Sequence, residues 1–441
     1  MSKLLIHSAR IVNEGSVLHG DLLVVDGRIE KIAPQIAAPA GAEVYEAKGR
    51  LLLPGMIDDQ VHFREPGLTH KGDLATESAA AVAGGITSVM DMPNNSPAIT
   101  TRARLADKYA HAQGRLHTNY AFYFGGANDN LEEIAALQPD EACALKVFMG
   151  ASTGNMLVDD PATLNGIFAR SKLMVVTHCE DTPTILRNEV KAREKFGERV
   201  PWSEHPRIRS AEACYASTEL ATGLAKKHGA RLHVLHLTTA REMSFFEPGP
   251  IKGKRITAEA CVHHLFFDER DYATRGSLIK CNPAIKTATD REALLKAVRE
   301  DRIDVIATDH APHTLEEKAR DYFQAPSGLP LVQHALLMGL ELVRRKELDL
   351  QTLVRKICHA PAELFGVRER GYVREGYWAD LTLIDETPQT VRREDVRYKV
   401  GWSPLEGMTL PGRIAATWVN GELAWDGTQV LPPRGQRLRF G

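Results

Sequence analysis

The stretch Met56-Ile-Asp-Asp-Gln-Val-His-Phe-Arg64 is an apolar run that ends in polar and ionisable side chains. Gln60, His62 and Arg64 are spaced two residues apart, so in a strand their side chains point to the same side. Four later apolar runs carry or end in an ionisable residue: Lys146, His178, His236 and Asp309. In a barrel of parallel strands, catalytic groups lie where the strands end, and this repeated pattern therefore favours such a barrel.

Segments with strand-like and helix-like patterns alternate through the middle of the chain. Residues 210–228 predict a helix that Gly229 ends, and residues 231–237 predict the strand that follows. Thr289 and Glu292 form a capping-box pattern that predicts the start of another helix. Alternation over roughly 300 residues predicts a parallel sheet with helices outside it, and a closed barrel fits that length better than an open sheet.

Both ends of the chain are rich in strand-like segments instead. Asp26-Gly27 and Asn420-Gly421 each separate two such segments, which is the signal of a tight β-hairpin. Chain ends often lie close together, so we expect the two ends to pair in one small domain. The predicted fold is α/β: a (β/α)8 TIM barrel at residues 55–368, with a small β-sandwich domain built from residues 1–54 and 369–441.

The composition excludes several classes of protein. Among 441 residues, 43% are hydrophobic and 25% are charged, so the chain can bury a large core. Lys and Arg number 55 against 57 Asp and Glu, which predicts no nucleic-acid partner and no membrane partner. The six cysteines are far apart, no apolar run is long enough to cross a membrane, and the first residues do not resemble a signal peptide. We therefore expect a reduced, cytoplasmic protein.

The ionisable residues near the strand ends form a candidate set of metal ligands. Each one alone has an ordinary structural interpretation, such as a hydrogen-bonded histidine, a surface lysine or a helix cap. Imidazole and carboxylate groups around one axis favour zinc, with manganese or iron as alternatives, and the histidines disfavour calcium. The adjacent pair His263-His264 is left out, because adjacent residues in a strand point to opposite faces. The set is His62, Lys146, His178, His236 and Asp309.

Ordered motifs along nearly the full chain resemble the amidohydrolase superfamily, and within it the cyclic-amide hydrolases: dihydroorotases, hydantoinases and allantoinases. The motifs are Pro54-Gly-Met-Ile-Asp58, His62-Phe-Arg-Glu-Pro-Gly67, Ala83-Gly-Gly-Ile-Thr87, Met92-Pro-Asn-Asn95, Lys146-Val-Phe-Met149, His178-Cys-Glu-Asp181, Ala307-Thr-Asp-His-Ala-Pro-His313, Gly376-Tyr-Trp-Ala-Asp380 and Ser403-Pro-Leu-Glu-Gly407. So many motifs in the same order make a chance match very improbable.

The resemblance implies a role for each member of the ligand set. Lys146 looks like the lysine that carbon dioxide carboxylates so that it bridges two metals. His62 and Asp309 resemble ligands of the first metal, and His178 and His236 resemble ligands of the second. A metal-activated hydroxide would attack the ring amide, with Asp309 as general base and then general acid. The implied cofactor is Zn²⁺, one or two per chain, and the implied assembly is a homo-oligomer, a dimer or a tetramer.

Gln60 departs from the family pattern, in which the first metal motif is His-x-His. Its amide oxygen is neutral and is a weaker zinc ligand than imidazole. The first metal site is therefore expected to be weak, or to be completed by water or by a neighbour such as Asp59 or His70. This departure also motivates an alternative hypothesis, in which the protein is a non-catalytic scaffold for a partner enzyme. The ionisable cluster argues against that hypothesis, because a scaffold has no need to keep it.

Arg64 and three further residues indicate the substrate. The motif that begins at His62 resembles the carboxylate site of dihydroorotases, and an arginine that points inward needs an anionic partner. Asn94, Asn282 and His313 resemble further substrate contacts, although Asn94 could make a turn and His313 could orient a metal ligand. The resemblance thus implies dihydroorotase activity, the reversible closure of N-carbamoyl-L-aspartate to L-dihydroorotate in pyrimidine synthesis.

Two neighbouring segments favour a related activity instead. The sequences from Lys146 to Gly150 and from Met156 to Asp160 are more similar to hydantoinases and allantoinases. An allantoinase or a hydantoinase-type hydrolase is therefore the main alternative, although neither substrate carries the carboxylate that Arg64 would bind. Residues 146–156 are also a candidate for a loop that closes over the substrate, with a static core segment as the other interpretation.

Overall fold

The computed structural model describes residues 2–150 and 156–441, so part of the candidate loop at 146–156 lies outside the described residues. The strands in chain order are β1 (Lys3–Asn13), β2 (Ser16–Val25), β3 (Arg28–Ala33), β4 (Glu43–Glu46), β5 (Leu51–Pro54), β6 (Met56–Val61), β7 (Ile86–Asp91), β8 (Asn119–Phe122), β9 (Phe124–Gly125), β10 (Leu145–Phe148), β11 (Val175–His178), β12 (Leu232–Val234), β13 (Ile256–Cys261), β14 (Val305–Ala307), β15 (Leu381–Asp385), β16 (Gln389–Thr390), β17 (Thr409–Leu410), β18 (Arg413–Val419) and β19 (Glu422–Trp425).

The α-helices in chain order are α1 (Leu74–Ala83), α2 (Arg102–Ala112), α3 (Leu131–Ala136), α4 (Pro161–Arg170), α5 (Thr182–Phe196), α6 (His205–Ile208), α7 (Ala211–His228), α8 (Val262–Phe266), α9 (Tyr272–Arg275), α10 (Ala288–Arg299), α11 (Leu315–Lys318), α12 (Ala335–Arg344), α13 (Leu350–Val354) and α14 (Ala360–Phe365). A π-helical segment, Arg355–His359, joins α13 to α14.

Strands β6 to β14 form the barrel. Strands β6, β7 and β8 are hydrogen-bonded in parallel, and so are β9 to β14, in chain order. Only Tyr123 separates β8 from β9, so these two segments make one continuous strand position. At the other edge Val61 pairs in parallel with His310, just after β14, and the ring closes. The predicted (β/α)8 barrel is therefore confirmed.

The closure between β6 and β14 depends on a buried carboxylate. The Asp58 carboxylate accepts from the Thr308 backbone N–H at 3.1 Å and from the Thr308 hydroxyl at 2.6 Å. The His62 backbone N–H donates to the His310 carbonyl at 2.7 Å. Because Asp58 is fully buried, both donors are needed to compensate for its loss of hydration.

The helices outside the barrel begin and end where local chemistry dictates. The Ser210 side chain accepts from the Ala213 backbone N–H at the start of α7, and Gly229, with φ of 61°, ends that helix as predicted. The capping box predicted at Thr289 is wrong, because α10 begins two residues earlier. Thr287 has the extended backbone of a capping residue, and its hydroxyl accepts from the Asp290 backbone N–H at 3.1 Å.

The two chain ends build one eight-stranded sheet. Its order is β19-β18-β15-β5-β1-β2-β3. Strand β4 pairs with the same edge of β1 as β5 does, but nearer the start of β1. Strand β5 pairs in parallel with β1 and antiparallel with β15, so it joins the two ends of the sequence. Leu52 faces the sheet domain's own core, whereas Leu51 and Leu53 face the main core that includes the barrel. The expectation that the ends form one strand-rich domain is confirmed.

The domain limits at residues 54 and 368 stay a prediction, and the last residues of the chain return to the barrel. Arg437 pairs with Tyr120, and Phe440 pairs with Val367. The six cysteines are buried free thiols, as expected for a reduced protein. In the described part of the chain no helix combines the length and the apolar character that crossing a bilayer requires.

Candidate active site

One cavity at the carboxyl end of the barrel strands contains all the residues predicted to bind metal or substrate, together with the doubtful ligand Gln60. Phe148, Ala311, Ser327 and Gly328 complete its wall. The predicted residues that line it are Gln60, His62, Arg64, Asn94, Lys146, His178, His236, Asn282, Asp309 and His313.

The backbone at three strand ends is unusual. Arg64, His236 and Asp309 have φ of 69°, 39° and 49°, a left-handed region that costs a non-glycine residue on the order of 1–3 kcal/mol. Such conformations persist where the surrounding structure fixes them, and they are concentrated at functional sites. All three residues lie just beyond a strand and line the cavity.

His178 and His236, which resemble ligands of the second metal, form one half of the candidate metal centre. Their Nδ1 and Nε2 atoms lie 3.0 Å apart, and both rings are buried. The Glu180 carboxylate lies 3.1 Å from His178 Nε2, and Arg209 donates to that carboxylate at 2.7 Å. Glu180 therefore accepts the Nε2 proton and leaves the Nδ1 lone pair directed at His236. Two imidazole nitrogens that face each other in this way fit a shared metal ion.

His62 and Asp309, which resemble ligands of the first metal, form the other half of the candidate metal centre. The Asn94 amide oxygen accepts from His62 Nδ1 at 2.7 Å, so Nε2 carries a proton only when the ring is cationic. In neutral His62 the Nε2 lone pair points at Asp309 Oδ1, 3.1 Å away, and a cation or a proton has to lie between them. This pair of donors also fits a metal ion.

Gln60 differs from the others in how its amide is oriented. Its Nε2 donates to Asp309 Oδ1 at 3.1 Å, and its Oε1 faces the Cys261 thiol at 3.6 Å. The amide thus supports the carboxylate of Asp309 and turns its oxygen away from it. Neither neighbour suggested as a replacement ligand lines the cavity: Asp59 faces His233, and His70 is an exposed residue near Glu317.

Lys146 lies between His62 and His178 in sequence and is buried in the same cavity. Burial lowers its pKa to about 8, although the charges of Asp309 and Glu259 oppose that shift. At pH 7 the neutral amine is therefore more populated than in an ordinary lysine, whose pKa is about 10.4. Only the neutral amine can react with carbon dioxide, so the site favours carboxylation.

Arg64 brings a buried cation to the cavity wall. Its Nε donates to the Pro312 carbonyl at 3.2 Å, and its Nη2 lies 3.1 Å from His313 Nε2. Lys71 donates to His313 Nδ1 at 3.0 Å, and burial with the charge of Arg64 holds the pKa of His313 well below its usual range. Within residues 2–150 and 156–441, no carboxylate forms an ion pair with Arg64.

Asn282 and a tight glycine complete the wall beside His313, whose Nε2 lies 3.1 Å from the Ser327 carbonyl. The Asn282 amide nitrogen donates to the Cys281 carbonyl and the Ser327 hydroxyl, both at 3.0 Å, and its oxygen accepts from Arg209. Gly328 has φ of 144°, and a Cβ there would lie 2.3 Å from the Ala311 carbonyl oxygen. Only glycine lets this segment approach the cavity so closely.

Sequence reasoning missed the residues that support the site from behind. Glu180 was visible in the motif that starts at His178, but Arg209 and Lys71 carried no signal because their partners are distant in sequence. The prediction that His263 and His264 lie in a strand is wrong, since both lie in the short helix α8 and their ring centroids are 4.0 Å apart. Neither ring lines the cavity.

Comparison with known proteins shows the family of the chain. A model of the amidohydrolase family matches residues 51–424, and the chain belongs to this family. It is a hydrolase that acts on cyclic amides, and the scaffold alternative finds no support.

The similar proteins include dihydroorotases by sequence and a hydantoinase by structure. The chain is 32% identical to a dihydroorotase of Halobacterium salinarum over 95% of its own length and 99% of the relative's. It is 31% identical to a dihydroorotase of Methanosarcina acetivorans over 98% and 94%. Among solved structures it is similar to the L-hydantoinase (dihydropyrimidinase) from Arthrobacter aurescens, with a TM-score of 0.93, 26% identity, and coverage of 99% and 100%.

Proposed function

We propose that this protein is a zinc-dependent dihydroorotase that interconverts N-carbamoyl-L-aspartate and L-dihydroorotate. The relatives of that name, 31–32% identical over nearly the whole chain, support the proposal. The observation that carries it is the buried guanidinium of Arg64, which has no carboxylate partner in the described part of the chain.

Arg64 supplies what this substrate requires. A buried arginine without an anion is costly, and a guanidinium offers parallel donors that match a carboxylate. Burial lowers the pKa of Arg64 only to about 10, so the side chain stays cationic at neutral pH. Dihydroorotate is a cyclic amide with a carboxylate, whereas hydantoin and allantoin have none. The carboxylate would thus restore the charge balance of the wall formed by Arg64 and His313.

The metal would be held by two neighbouring groups of ligands. We assign His178 and His236 to one zinc, His62 and Asp309 to the other, and a carboxylated Lys146 to the position between them. When bound, zinc would polarise the ring carbonyl and make water nucleophilic at neutral pH. Gln60 is a doubtful ligand, because its nitrogen rather than its oxygen faces Asp309.

Asp309 is the group that would move the proton. Burial alone would raise its pKa, but the contact with His62 and the charges of His263 and Lys146 hold that pKa below its usual range. Asp309 is therefore a carboxylate at neutral pH and can accept a proton from water. In hydrolysis it would pass this proton to the ring nitrogen as the amide bond breaks, and in ring closure the proton would move the other way.

A hydantoinase-type or allantoinase activity is the second candidate. The structural similarity to the L-hydantoinase from Arthrobacter aurescens, over 99% of this chain, supports it. The two candidates differ in whether the substrate needs a carboxylate, and Arg64 therefore distinguishes them. The homo-oligomer and the cytoplasmic location stay predictions from the sequence.

The test is turnover of purified protein supplied with zinc and bicarbonate. L-Dihydroorotate, hydantoin and allantoin are compared as substrates, N-carbamoyl-L-aspartate is used for the reverse reaction, and metal content is measured on the same sample. We expect the highest kcat/KM with L-dihydroorotate. A higher value with hydantoin or allantoin would establish the second candidate, and metal-loaded protein that turns over none of them would refute both.

A further inference from the structure

A second group of ligand-type side chains lies inside the barrel, outside the cavity wall. It consists of Asp59 on β6, His233 on β12 and Glu259 on β13, and all three are completely buried. One ligand atom from each lies within 4.8 Å of the other two. None of the three lines the candidate active site.

The hydrogen bonds of His233 fix which of its nitrogens faces the carboxylates. Thr257 donates its hydroxyl proton to the Leu232 carbonyl at 3.2 Å, so its oxygen accepts from His233 Nδ1 at 2.8 Å. The proton of the neutral ring is therefore on Nδ1. Burial lowers the pKa of His233, which favours this neutral form. Nε2 consequently directs a lone pair at the two carboxylates.

The distances around Nε2 are too long for hydrogen bonds. Asp59 Oδ2 and Glu259 Oε2 each lie 3.7 Å from it, beyond the usual 2.7–3.2 Å. Among the described residues, Nε2, Oε2 of Glu259 and both carboxylate oxygens of Asp59 have no hydrogen-bond partner. Buried polar atoms are rarely left this way. Burial raises the pKa of both carboxyl groups, so the three ligand-type side chains converge on a position where a proton or a metal ion would supply the missing partner.

We propose that Asp59, His233 and Glu259 bind a divalent transition metal of the zinc type, separate from the catalytic centre. One imidazole and two carboxylates are donors that zinc accepts, and water would complete a tetrahedron. Ligand atoms 2.0–2.2 Å from zinc are about 3.3 Å apart, so the observed 3.7 Å needs only a small contraction. The metal would neutralise the two carboxylates in the barrel interior.

The site connects to the catalytic centre through Glu259. Its Oε2 faces the proposed metal, and its Oε1 accepts from the His236 backbone N–H at 3.1 Å. His236 has the left-handed backbone described above, so this carboxylate helps to hold it in that conformation. The role of the metal is therefore structural, and it does not depend on which cyclic amide the enzyme hydrolyses.

The decisive experiment is a zinc-edge anomalous difference map from crystals of the zinc-loaded, full-length protein. We expect a peak between Asp59, His233 and Glu259, resolved from any peak beside His178 and His236. A map with zinc at the catalytic centre and no peak among these three residues would overturn the proposal, and so would a peak beside Cys261, His263 and His264 alone. The map needs no variant, so a failure to fold cannot obscure the result.

Metal content in solution provides an independent measurement. Asp59→Asn and His233→Gln should each lower the zinc content by one per chain, measured by mass spectrometry after dialysis. Glu242→Gln is the matched control, because Glu242 is also a buried carboxylate but accepts from Thr218 and Thr239 instead. Equal zinc content in the wild type and both variants would refute the site, whatever substrate the protein turns over.

Discussion

At the scale of single residues, Arg64 has the most specific chemistry in the cavity. It is buried, cationic and next to a neutral His313, whose Nδ1 already accepts from Lys71. The neighbouring Glu65 does not neutralise it, because that carboxylate pairs with Arg115 and His111. The charge of Arg64 is therefore available to a ligand.

We expect Arg64→Met to lower kcat/KM for L-dihydroorotate by about 100- to 10,000-fold, since two charge-assisted hydrogen bonds of about 1.5–3 kcal/mol each are lost. Arg64→Lys keeps the charge but not the paired donors, and an intermediate loss is expected. Steady-state kinetics and calorimetric binding of N-carbamoyl-L-aspartate measure both effects. The control substrate is 5,6-dihydrouracil, which lacks the carboxylate. An equal proportional loss with both substrates would mean that Arg64 only supports the fold.

Gln60 determines how firmly the metal next to Asp309 is held. An imidazole is a stronger zinc ligand than an amide, so Gln60→His should increase the zinc that survives dialysis against a weak chelator. The same change removes the 3.1 Å hydrogen bond to Asp309. Zinc retention in Gln60→Glu is compared with it, because that change introduces an anionic oxygen instead of an imidazole. Zinc retention that falls in Gln60→His would show that the amide is needed where it is.

The sequence predicts which residues meet in the site when each of them lies at the end of a barrel strand. His178 ends β11, and His236 and Asp309 come two residues after β12 and β14, so their convergence follows from parallel strands alone. The amide of Gln60, in contrast, is oriented by Asp309 and Cys261, both more than 200 residues away. No local pattern specifies such a contact.

At the scale of secondary structure, the closure of the barrel depends on Asp58, in the middle of β6. Asp58 receives two hydrogen bonds from Thr308, and the Thr308 hydroxyl also accepts from the His310 backbone N–H at 2.9 Å. One hydroxyl thus connects the first and last barrel strands just below the candidate metal ligands. The alternating strand pattern predicted the barrel but not this connection.

We expect Thr308→Val to lower the free energy of unfolding by about 2 kcal/mol, because it leaves a buried carboxylate with one donor fewer. Thr308→Ser keeps the hydroxyl and should lose about 1 kcal/mol or less. Urea unfolding followed by circular dichroism measures both. Equal losses in the two variants would assign the effect to the methyl group rather than to the hydrogen bond.

The starts of helices show where local prediction fails. Thr287 and Thr289 can both cap a helix chemically, and the outcome depends on which one has an extended backbone when the preceding loop packs. The same holds for His263, which lies in α8 because the chain changes from strand to helix directly after Cys261, the last residue of β13. Packing, rather than propensity, decides these boundaries.

At the scale of the whole molecule, Asp380 connects the sheet domain to the barrel. Its carboxylate accepts from Asn119 of β8 at 3.1 Å and from the Asn420 backbone N–H at 2.7 Å, and it forms a buried ion pair with Arg370. The Asp380 side chain therefore joins strand β8 of the barrel, Arg370 and the hairpin at Asn420.

Asp380→Asn should lower the free energy of unfolding by about 3 kcal/mol, because it leaves Arg370 buried without its counter-charge. Asp385→Asn is the control at the partly buried end of β15, where the partners Arg50 and Arg413 are more accessible than Arg370, and less than about 1 kcal/mol is expected. Urea titration compares the two. A similar small effect in both would show that the two domains are not joined through Asp380.

The pairing of β5 with β15 has a consequence for how the protein is made. Roughly 330 residues separate the two strands, so at about 5–20 residues per second a ribosome takes on the order of 15–65 s to deliver the second after the first. The hairpin of β2 and β3 can form at once, since its contacts are local. Throughout that interval the leucines of β5 lack their permanent partner, and the nascent chain has an apolar edge that it can cover only near the end of translation.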